Sequence, residues 1–535
     1  MSALTRTVRA ALDARPPVPA EHLDAWLEPK LADLTPPDAM ADRDAFTDRV
    51  AFALGRSEKI AVFGDYDCDG ITATAIVTTI LRQLGGDVSP LLATRTEGAY
   101  GFSEPALARV KGTGATLLVT CDCGSSDHPR IHAAAKAGID TLVIDHHLVP
   151  SEPLPARAFL NPHRPDCGFP FKWLASCGLA LSLGAALRKK MAKPLDLRPL
   201  LDLVAIGTIA DVAPLVGDNR ALVRAGLRVV ASGARPGLRA LGDIARIQAG
   251  VGVIAEDVSF RIAPRLNAPG RLGDPDESLK LLLADDFHVA SAIAASIEQV
   301  QLRRRALQAE MVEQALKDYA EGAMEGRSGI VLARQGWHPG VVGIVAGRIA
   351  DTMKKPTIVI GLEGEHGRGS VRGPKDFPLY DALVLAKREL VGFGGHQAAA
   401  GVHTRADRID ALRIAWDEAC ASLLASVPPA PPPLEVVLDP RDDPRDVVRD
   451  LLRLEPCGEG NPMPRLRLPK AFLASARDLK GHLKLEIDYG GRRLSGIAFS
   501  FGHRADELNG AIRDIVGTLR PSAYSGVEFT ATDIA

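Results

Sequence analysis

From residue 58 the sequence alternates short apolar, β-rich runs with helical stretches: KIAVFG, TATAIVTTILRQLG, DVSPLLA, ATLLVTCD, DHPRIHAAAKAG and DTLVID. That rhythm reads as βαβ units on a parallel sheet, an α/β architecture. Open sheets of this kind collect their ligands at the carboxyl ends of the strands. Three such ends carry acids or imidazoles: GDYDCDG at 64–70, Asp122 at the close of ATLLVTCD, and Asp145, His146 and His147 after the last run.

Crowding is the second constraint. Asp65, Asp67 and Asp69 occupy alternate positions, and like charges so close together call for a compensating cation. A fourth segment, GTIADVAPL at 207–215, adds Asp211. Aspartates and histidines without thiolate spacing suit Mn²⁺ or Mg²⁺ better than structural zinc. Taken singly each signal is weak, because an aspartate at a strand end is more often the cap of the next helix. Taken together, each follows an apolar run able to end at one sheet edge, and that convergence favours a site.

The remaining chain shows several further units. At 535 residues it exceeds one core and divides into about three or four domains. Apolar residues at 46% and charged residues at 24% are ordinary for a globular protein. The formal charge of −2 leaves any polyanion site to a local basic groove. No apolar run approaches the roughly 18 residues of a membrane span, the N-terminus lacks a signal-peptide block, and seven cysteines without a C-x-x-C pair suggest no disulfide framework; a cytoplasmic location is expected.

We expect an N-terminal leader packing on the core (1–45), a catalytic domain (46–286), a connecting helix (287–322), a smaller α/β domain (323–426), and a linker with a small β-barrel (427–535). The connecting helix has an apolar stripe of Ile293, Ile297, Val300, Leu307 and Met311 broken by Arg304. VPPAPPP at 427–433 is the clearest linker, since five prolines remove donors and fix the backbone. Beyond it EPCGEGNP reads as a helical approach to short β-like segments, for which an OB-fold is one natural candidate. Arg265, Asn267, Gly270 and Arg271 in APRLNAPGR read as a compact polar turn able to clamp phosphates.

Eleven motifs carry a resemblance: GDYDCDGITATA, TCDCG, VIDHHLVP, NPHRPDC, GTIADVAPL, APRLNAPGRLGD, GWHPGVVGIVAGRI, GSVRG, GFGGHQAAAG, EPCGEGNPMP and GHLKL, in that order. Over nearly the whole chain the sequence resembles the DHH phosphoesterases, and within them the RecJ single-strand-specific exonucleases. The resemblance implies a DHH-type catalytic domain with two ions, Mn²⁺ or Mg²⁺, held by Asp67, Asp69, Asp122, His146 and Asp211. Asp65 lies behind these ligands or joins them when occupancy demands it; His147 faces the scissile phosphate and Asp145 orients its neighbours. It implies metal-dependent removal of 5′-mononucleotides from single-stranded DNA in the 5′→3′ direction, in DNA repair and recombination.

The smaller α/β domain resembles the DHH-associated domain, which turns His338, Ser370, Arg372, Gly394, Gly395 and His396 toward the cleft as ligands of a 5′-terminal phosphate. In the barrel, Lys480, His482, Lys484, Arg492 and Arg493 are phosphate contacts, with backbone binding favoured over base reading. Single-stranded DNA, a single-strand-binding protein and a RecQ-type helicase are the implied partners of a monomer with no membrane association. Four positions depart from the family pattern: Phe63 where several DHH families have histidine, Ala99 in RTEGAYG, Cys123 in TCDCG, and the inserted Val149 in DHHLVP. Two rivals stay open. One is a DHH enzyme of short oligoribonucleotides or cyclic dinucleotides, which needs no barrel; the other is a non-catalytic single-strand-binding scaffold, which has no use for four intact motifs.

Overall fold

The computed structural model describes residues 4–15, 20–95, 101–247, 252–322, 324–395, 399–425, 427, 432–522 and 525–535. Ala99, His396 and most of the proline linker lie outside these residues.

The first sheet has five parallel strands in the order β2-β1-β3-β4-β5: β1 (Lys59–Gly64), β2 (Asp87–Leu92), β3 (Leu117–Cys121), β4 (Asp140–Ile144) and β5 (Ala158–Leu160). The chain leaves β1 on one side for β2 and returns on the other for β3, so a topological switch point opens between β1 and β3. Strand alternation sends Ile60 and Val62 into the main core with the helix Cys68–Gln83. Ala61 and Phe63 turn to the opposite face, where the Phe63 ring meets Phe102 edge-on at 5.1 Å. Phe63 is therefore a packing residue on the face away from that helix, so no ligand can come from this position.

Helices Ser176–Met191, Leu201–Ala210 and Gly217–Ser232 pack on the same side as Cys68–Gln83 and bury an almost wholly apolar interface. APRLNAPGR is not a turn: Ala263–Leu272 is a helix with Pro269 inside it. Pro269 cannot donate its helical bond and crowds the preceding turn, and a buried position among packed residues overrides that cost and the turn propensity.

The connecting helix runs from Phe287 to Glu321. Its buried stripe is Ala290, Ala294, Ile297, Gln301, Arg304, Met311, Ala315 and Tyr319. Arg304 thus does not break the stripe but belongs to it, with its Nε donating to Gln301 at 2.9 Å.

Beyond it, β6 (Ile330–Gln335), β7 (Thr357–Glu363), β8 (His366–Arg372), β9 (Gly392–Gly395) and β10 (Ala399–Arg405) form a sheet ordered β6-β7-β8-β10-β9. Helices Val342–Met353 and Ile409–Leu424 flank it, around separate apolar clusters.

The C-terminal sheet comprises β11 (Glu435–Val437), β12 (Arg465–Leu479), β13 (His482–Tyr489), β14 (Arg492–Ala498), β15 (Ile512–Ser522) and β16 (Gly526–Ile534). Its order β11-β12-β13-β14-β16-β15 closes on itself through β12 and β15, giving a five-stranded barrel with β11 alongside. EPCGEGNP is a loop rather than a helix, pinned by a Gly458–Asn461 bridge. It lies against the 211–216 segment of the first domain, where the Leu215 amide donates to the Glu459 carbonyl at 2.7 Å.

The first helix of the leader, Arg6–Asp13, joins the barrel rather than the catalytic core: Val8, Ala11 and Leu27 are part of the barrel's apolar cluster. Thr7 donates through both its amide and its hydroxyl to Asp442 at 2.8 Å. Arg220 ties all three parts together, donating to the carbonyls of Trp26 and Leu454 at 2.9 Å while lying over the Trp26 ring. Among the described residues no helix is long and apolar enough to cross a membrane.

Candidate active site

The four acidic segments meet at the carboxyl edge of the first sheet, around the switch point. After β1 the chain turns through Asp65 into Asp67, which caps Cys68–Gln83 by accepting from the amides of Asp69 and Gly70 at 3.1 and 3.2 Å. Only glycine fits at position 70, since a Cβ would stand 2.5 Å from the Asp65 carbonyl oxygen. Asp69 projects across to the helix Ser176–Met191 and takes the amides of Ser176 and Cys177 at 2.7 and 2.9 Å. The positive end of that helix partly offsets its charge.

Asp122 leaves β3 with φ of 62°, a left-handed conformation that aspartate tolerates better than most residues, and accepts from the Ser176 hydroxyl at 3.1 Å. Asp211 stands at the carboxyl end of Leu201–Ala210. A carboxylate there meets the negative end of the helix dipole, so some other positive charge must hold it.

His146 Nε2 points into the middle of this set, 3.2 Å from Asp122, 3.7 Å from Asp211 and 3.8 Å from Asp69. Ligand atoms lying within 4.8 Å of one another form three overlapping sets: Asp69, His146 and Asp211; Asp122, His146 and His147; Asp65, Asp67 and Asp122. Asp145 is turned away from these sets by its own bonds. One oxygen takes the amides of His146 and His147 and the His147 ring Nδ1 at 2.7 Å, and the other takes the Ser125 amide at 3.0 Å.

The electrostatics follow from that geometry. Burial raises the cost of charge on Asp145, yet the His147 hydrogen bond outweighs it and holds this carboxyl well below the usual range. Burial likewise opposes charge on His147, but the Asp145 bond and charge carry its pKa up to about 9. Asp65 is pushed up by burial and then by Asp67, and Asp122 by burial and then by Asp69 and Asp67. Asp211 is pushed up to about 9 by burial and the same neighbours.

These residues fit divalent cations. Among the described residues His146 Nε2 and Asp65 Oδ1 are buried atoms without a hydrogen-bond partner, the 3.2 Å approach of Asp122 to Nε2 lacking hydrogen-bond geometry. Carboxylates forced upward in pKa beside an unpartnered imidazole nitrogen are the condition that hard, oxygen-seeking cations relieve.

A second polar region lies where the first domain meets the sheet of β6 to β10. Arg271, on the helix Ala263–Leu272, donates to the Gly340 carbonyl at 3.3 Å. Its charge is disfavoured first by burial and then by Arg95, Arg304 and Arg372, which lower its pKa to about 10. Among the described residues Arg372 donates only to neutral acceptors, Ser370 Oγ and the Val371 carbonyl, both at 2.8 Å, and burial lowers its pKa. Among the described residues no carboxylate pairs with Arg271, Arg304 or Arg372. Arginines gathered in a buried place without counter-charges favour an anion. His338 borders it, its Nδ1 accepting from the Gly340 amide at 3.0 Å. Gly394 lies in cross-strand register with Gly401 and Ser370, on the exposed edge of the same sheet.

One residue of the expected clamp is not free to join that site as an anion ligand. Arg265 makes a bidentate pair with Glu298 at 2.6 and 3.1 Å, a structural contact that neutralises it. Asn267 sits on the same helix, and among the described residues its buried Oδ1 has no hydrogen-bond partner. In the barrel Lys484 is paired with Glu528, Arg493 with Asp488 and Arg492 with Asp443.

Comparison with known proteins decides the family. Residues 59–208 match the DHH family N-terminal domain, 326–422 the DHHA1 domain and 434–532 the RecJ OB domain. A single-stranded-DNA-specific exonuclease RecJ from Dickeya dadantii is 36% identical over 476 residues, covering 84% of this chain and 82% of its own. The chain belongs to the RecJ family. The RecJ of Thermus thermophilus is 33% identical and covers 97% of the chain, which spans 75% of that relative; the chain spans 64% of the RecJ of Bacillus subtilis, also 33% identical over 94% of the chain. A crystal structure of RecJ in complex with Mn²⁺ from Thermus thermophilus superposes with a TM-score of 0.80 at 32% identity, covering 96% of the chain and 74% of that structure.

Sequence reasoning did not find Arg95 and Arg304. Arg304 looked like an interruption of an apolar stripe, and the helical period that buries it also marks it as unusual, because a buried arginine needs a partner. Arg95 follows β2 and lies over the Tyr66 ring at 4.3 Å; no spacing pattern distinguishes it from a surface arginine.

Proposed function

We propose that this protein is a metal-dependent hydrolase of phosphodiester bonds that removes 5′-mononucleotides from single-stranded DNA in the 5′→3′ direction, in DNA repair and recombination. The observation that carries the reading is the pairing of a buried carboxylate–imidazole cluster, short of positive charge, with a buried arginine site short of negative charge. The first suits cations and the scissile phosphate, and the second suits a terminal phosphate.

Two ions, Mn²⁺ or Mg²⁺, would be held by Asp67, Asp69, Asp122, His146 and Asp211, with Asp65 behind them, and would supply Lewis acidity and a deprotonated water at neutral pH. Asp145 fixes the His147 ring and favours its protonated form, so that the ring would offer a hydrogen bond to a phosphodiester oxygen. Ser176 and Cys177 hold the Asp69 carboxylate from behind, restricting it to one orientation. Arg271, Arg372 and Ser370, beside the amino end of Val342–Met353, orient the strand end, as a phosphate bound there meets fixed donors.

The same reading divides the chain into a leader (1–45), catalytic domain (46–286), connecting helix (287–322), DHH-associated domain (323–426) and linker with OB-fold (427–535). It makes the protein a cytoplasmic monomer, with a single-strand-binding protein and a RecQ-type helicase as partners; sedimentation of the purified chain tests the monomer. The activity is tested with strands labelled at either end in Mn²⁺, beside oligoribonucleotides of two to five residues. Labelled mononucleotide released at once from the 5′ end of DNA is the expected result. Release first from the 3′ end, or turnover of the short oligoribonucleotides alone, contradicts it.

A further inference from the structure

Three apolar side chains stand in solvent around the mouth of the acidic cluster. Leu148 follows His147 and is 67% exposed, Val212 follows Asp211 and is 65% exposed, and Trp173 is 52% exposed. Scattered apolar residues on a surface need no explanation. These three, however, are fastened to one another through the site.

Trp173 lies three residues before Ser176, which bonds Asp69 and Asp122. The Asn219 side-chain amide donates to the carbonyls of both Trp173 and Pro214, at 2.6 and 3.0 Å, and so fixes the tryptophan beside the turn that carries Asp211 and Val212. On its other side the Trp173 ring meets His163 edge-on at 6.3 Å. His163 is itself placed by Asn161, whose Oδ1 accepts the His163 amide and whose Nδ2 donates to the His147 carbonyl, both at 2.8 Å. One ring contact and two hydrogen bonds thus connect Trp173, through His163 and Asn161, to the residue before Leu148.

Val212 gives a second, independent sign. Its φ is 58°, in the left-handed region that a β-branched residue enters only under constraint. Glycine or asparagine makes such a turn more easily. The backbone is held in a strained form with an apolar side chain projecting into water.

None of these side chains binds a cation or a phosphate. With a phosphodiester at the cluster, the groups brought against them are the sugar and base attached to it. We propose that Trp173, with Leu148 and Val212, forms an apolar subsite for the unpaired base of the nucleotide being removed, an inference that rests on the phosphodiesterase reading above. An aromatic ring stacks on every base, so the subsite carries no sequence preference. A terminal base in a duplex must break its pair and its stack before it can enter, whereas an unpaired base need not, so the same contact favours single strands.

The test uses the full chain with Mn²⁺ and 5′-phosphorylated single strands, ordinary or with an abasic tetrahydrofuran residue at the 5′ end, against Trp173→Ala and Trp173→Phe. Wild type should remove the abasic residue on the order of ten-fold more slowly than an ordinary one, the scale of one stacked base. Trp173→Ala should be slowed about as much on the ordinary strand and lose nothing further on the abasic one, because both changes delete one contact. Trp173→Phe should keep most of the rate, and Mn²⁺ binding should be unchanged in both variants. Equal wild-type rates on the two strands overturn the subsite, a comparison that does not depend on any variant folding. So do losses that multiply, or a Trp173→Ala variant that binds Mn²⁺ poorly and hence acts through Ser176. A wild-type protein that degrades no single strand at all overturns the phosphodiesterase reading, a result distinct from these.

Discussion

Replacing Arg372 by methionine separates a binding residue from a structural one. Its guanidinium is largely buried, bonds only Ser370 Oγ and the Val371 carbonyl among the described residues, and is held below its ordinary pKa by burial. A charged donor kept from water without a counter-charge costs folding energy, so Arg372→Met should leave the denaturant midpoint unchanged or raise it. A charge-assisted contact with a terminal phosphate contributes about 1.5–3 kcal/mol, which is roughly 10- to 150-fold in affinity. The variant should therefore lose that factor in KM for a 5′-phosphorylated strand and little for a 5′-hydroxyl strand. Arg265→Met is the contrast: it strands Glu298, should lower stability by about 1–3 kcal/mol, and should leave the 5′-phosphate preference intact. The assay is degradation of paired 5′-phosphate and 5′-hydroxyl oligonucleotides, beside urea unfolding. An Arg372→Met protein that unfolds earlier yet keeps its 5′-phosphate preference refutes the reasoning.

Other outcomes follow from the same geometry. In the cation-free protein Asp122 is shifted up and Asp211 up to about 9, so between the ordinary carboxyl range near pH 4 and about pH 9 the folded state binds more protons than the unfolded one. Stability of the chelator-treated protein should therefore fall as pH rises through that window, and Mn²⁺ should abolish the slope; a flat profile without metal contradicts the shifts. For the same reason Mn²⁺ binding should release protons, seen as heats that depend on buffer ionisation enthalpy in calorimetry. Arg220→Ala removes buried bonds to the Trp26 and Leu454 carbonyls and should cost about 2–4 kcal/mol, measured by urea unfolding; a change within about 0.5 kcal/mol, the range of a neutral surface substitution, would show that the leader and barrel are held otherwise. Gly340→Ala would put a Cβ 2.1 Å from the Arg271 carbonyl oxygen, so it should part the two domains at the arginine site and raise KM for 5′-phosphorylated strands while Mn²⁺ binding persists.

Much of the catalytic centre was legible because strand periodicity and aspartate spacing are local properties. KIAVFG, ATLLVTCD and DTLVID announce parallel strands, and the acids at their ends need only the rule that such sheets bind at the carboxyl edge. Asp65, Asp67, Asp69, Asp122, His146 and Asp211 accordingly come together. The errors arose where tertiary packing overrides local preference. APRLNAPGR has the proline, glycine and asparagine of a turn, yet burial against neighbouring helices holds it as a helix. Arg265 and Arg271 look alike in sequence, and only the fold gives Glu298 to one and leaves the other without a carboxylate. The leader's attachment to the barrel joins residues more than 400 positions apart, which no short-range pattern encodes.

One partly buried set of aspartates and histidines would hold two cations, with Asp122 shared between the sets that His146 and Asp67 complete. Equilibrium dialysis of the metal-free chain against Mn²⁺, followed by elemental analysis, measures it directly. Two ions per wild-type chain are expected, and loss of tight binding at both positions in Asp122→Ala with the fold retained by circular dichroism. A wild-type chain that takes up one ion or none, or an Asp122→Ala chain that keeps two, contradicts it.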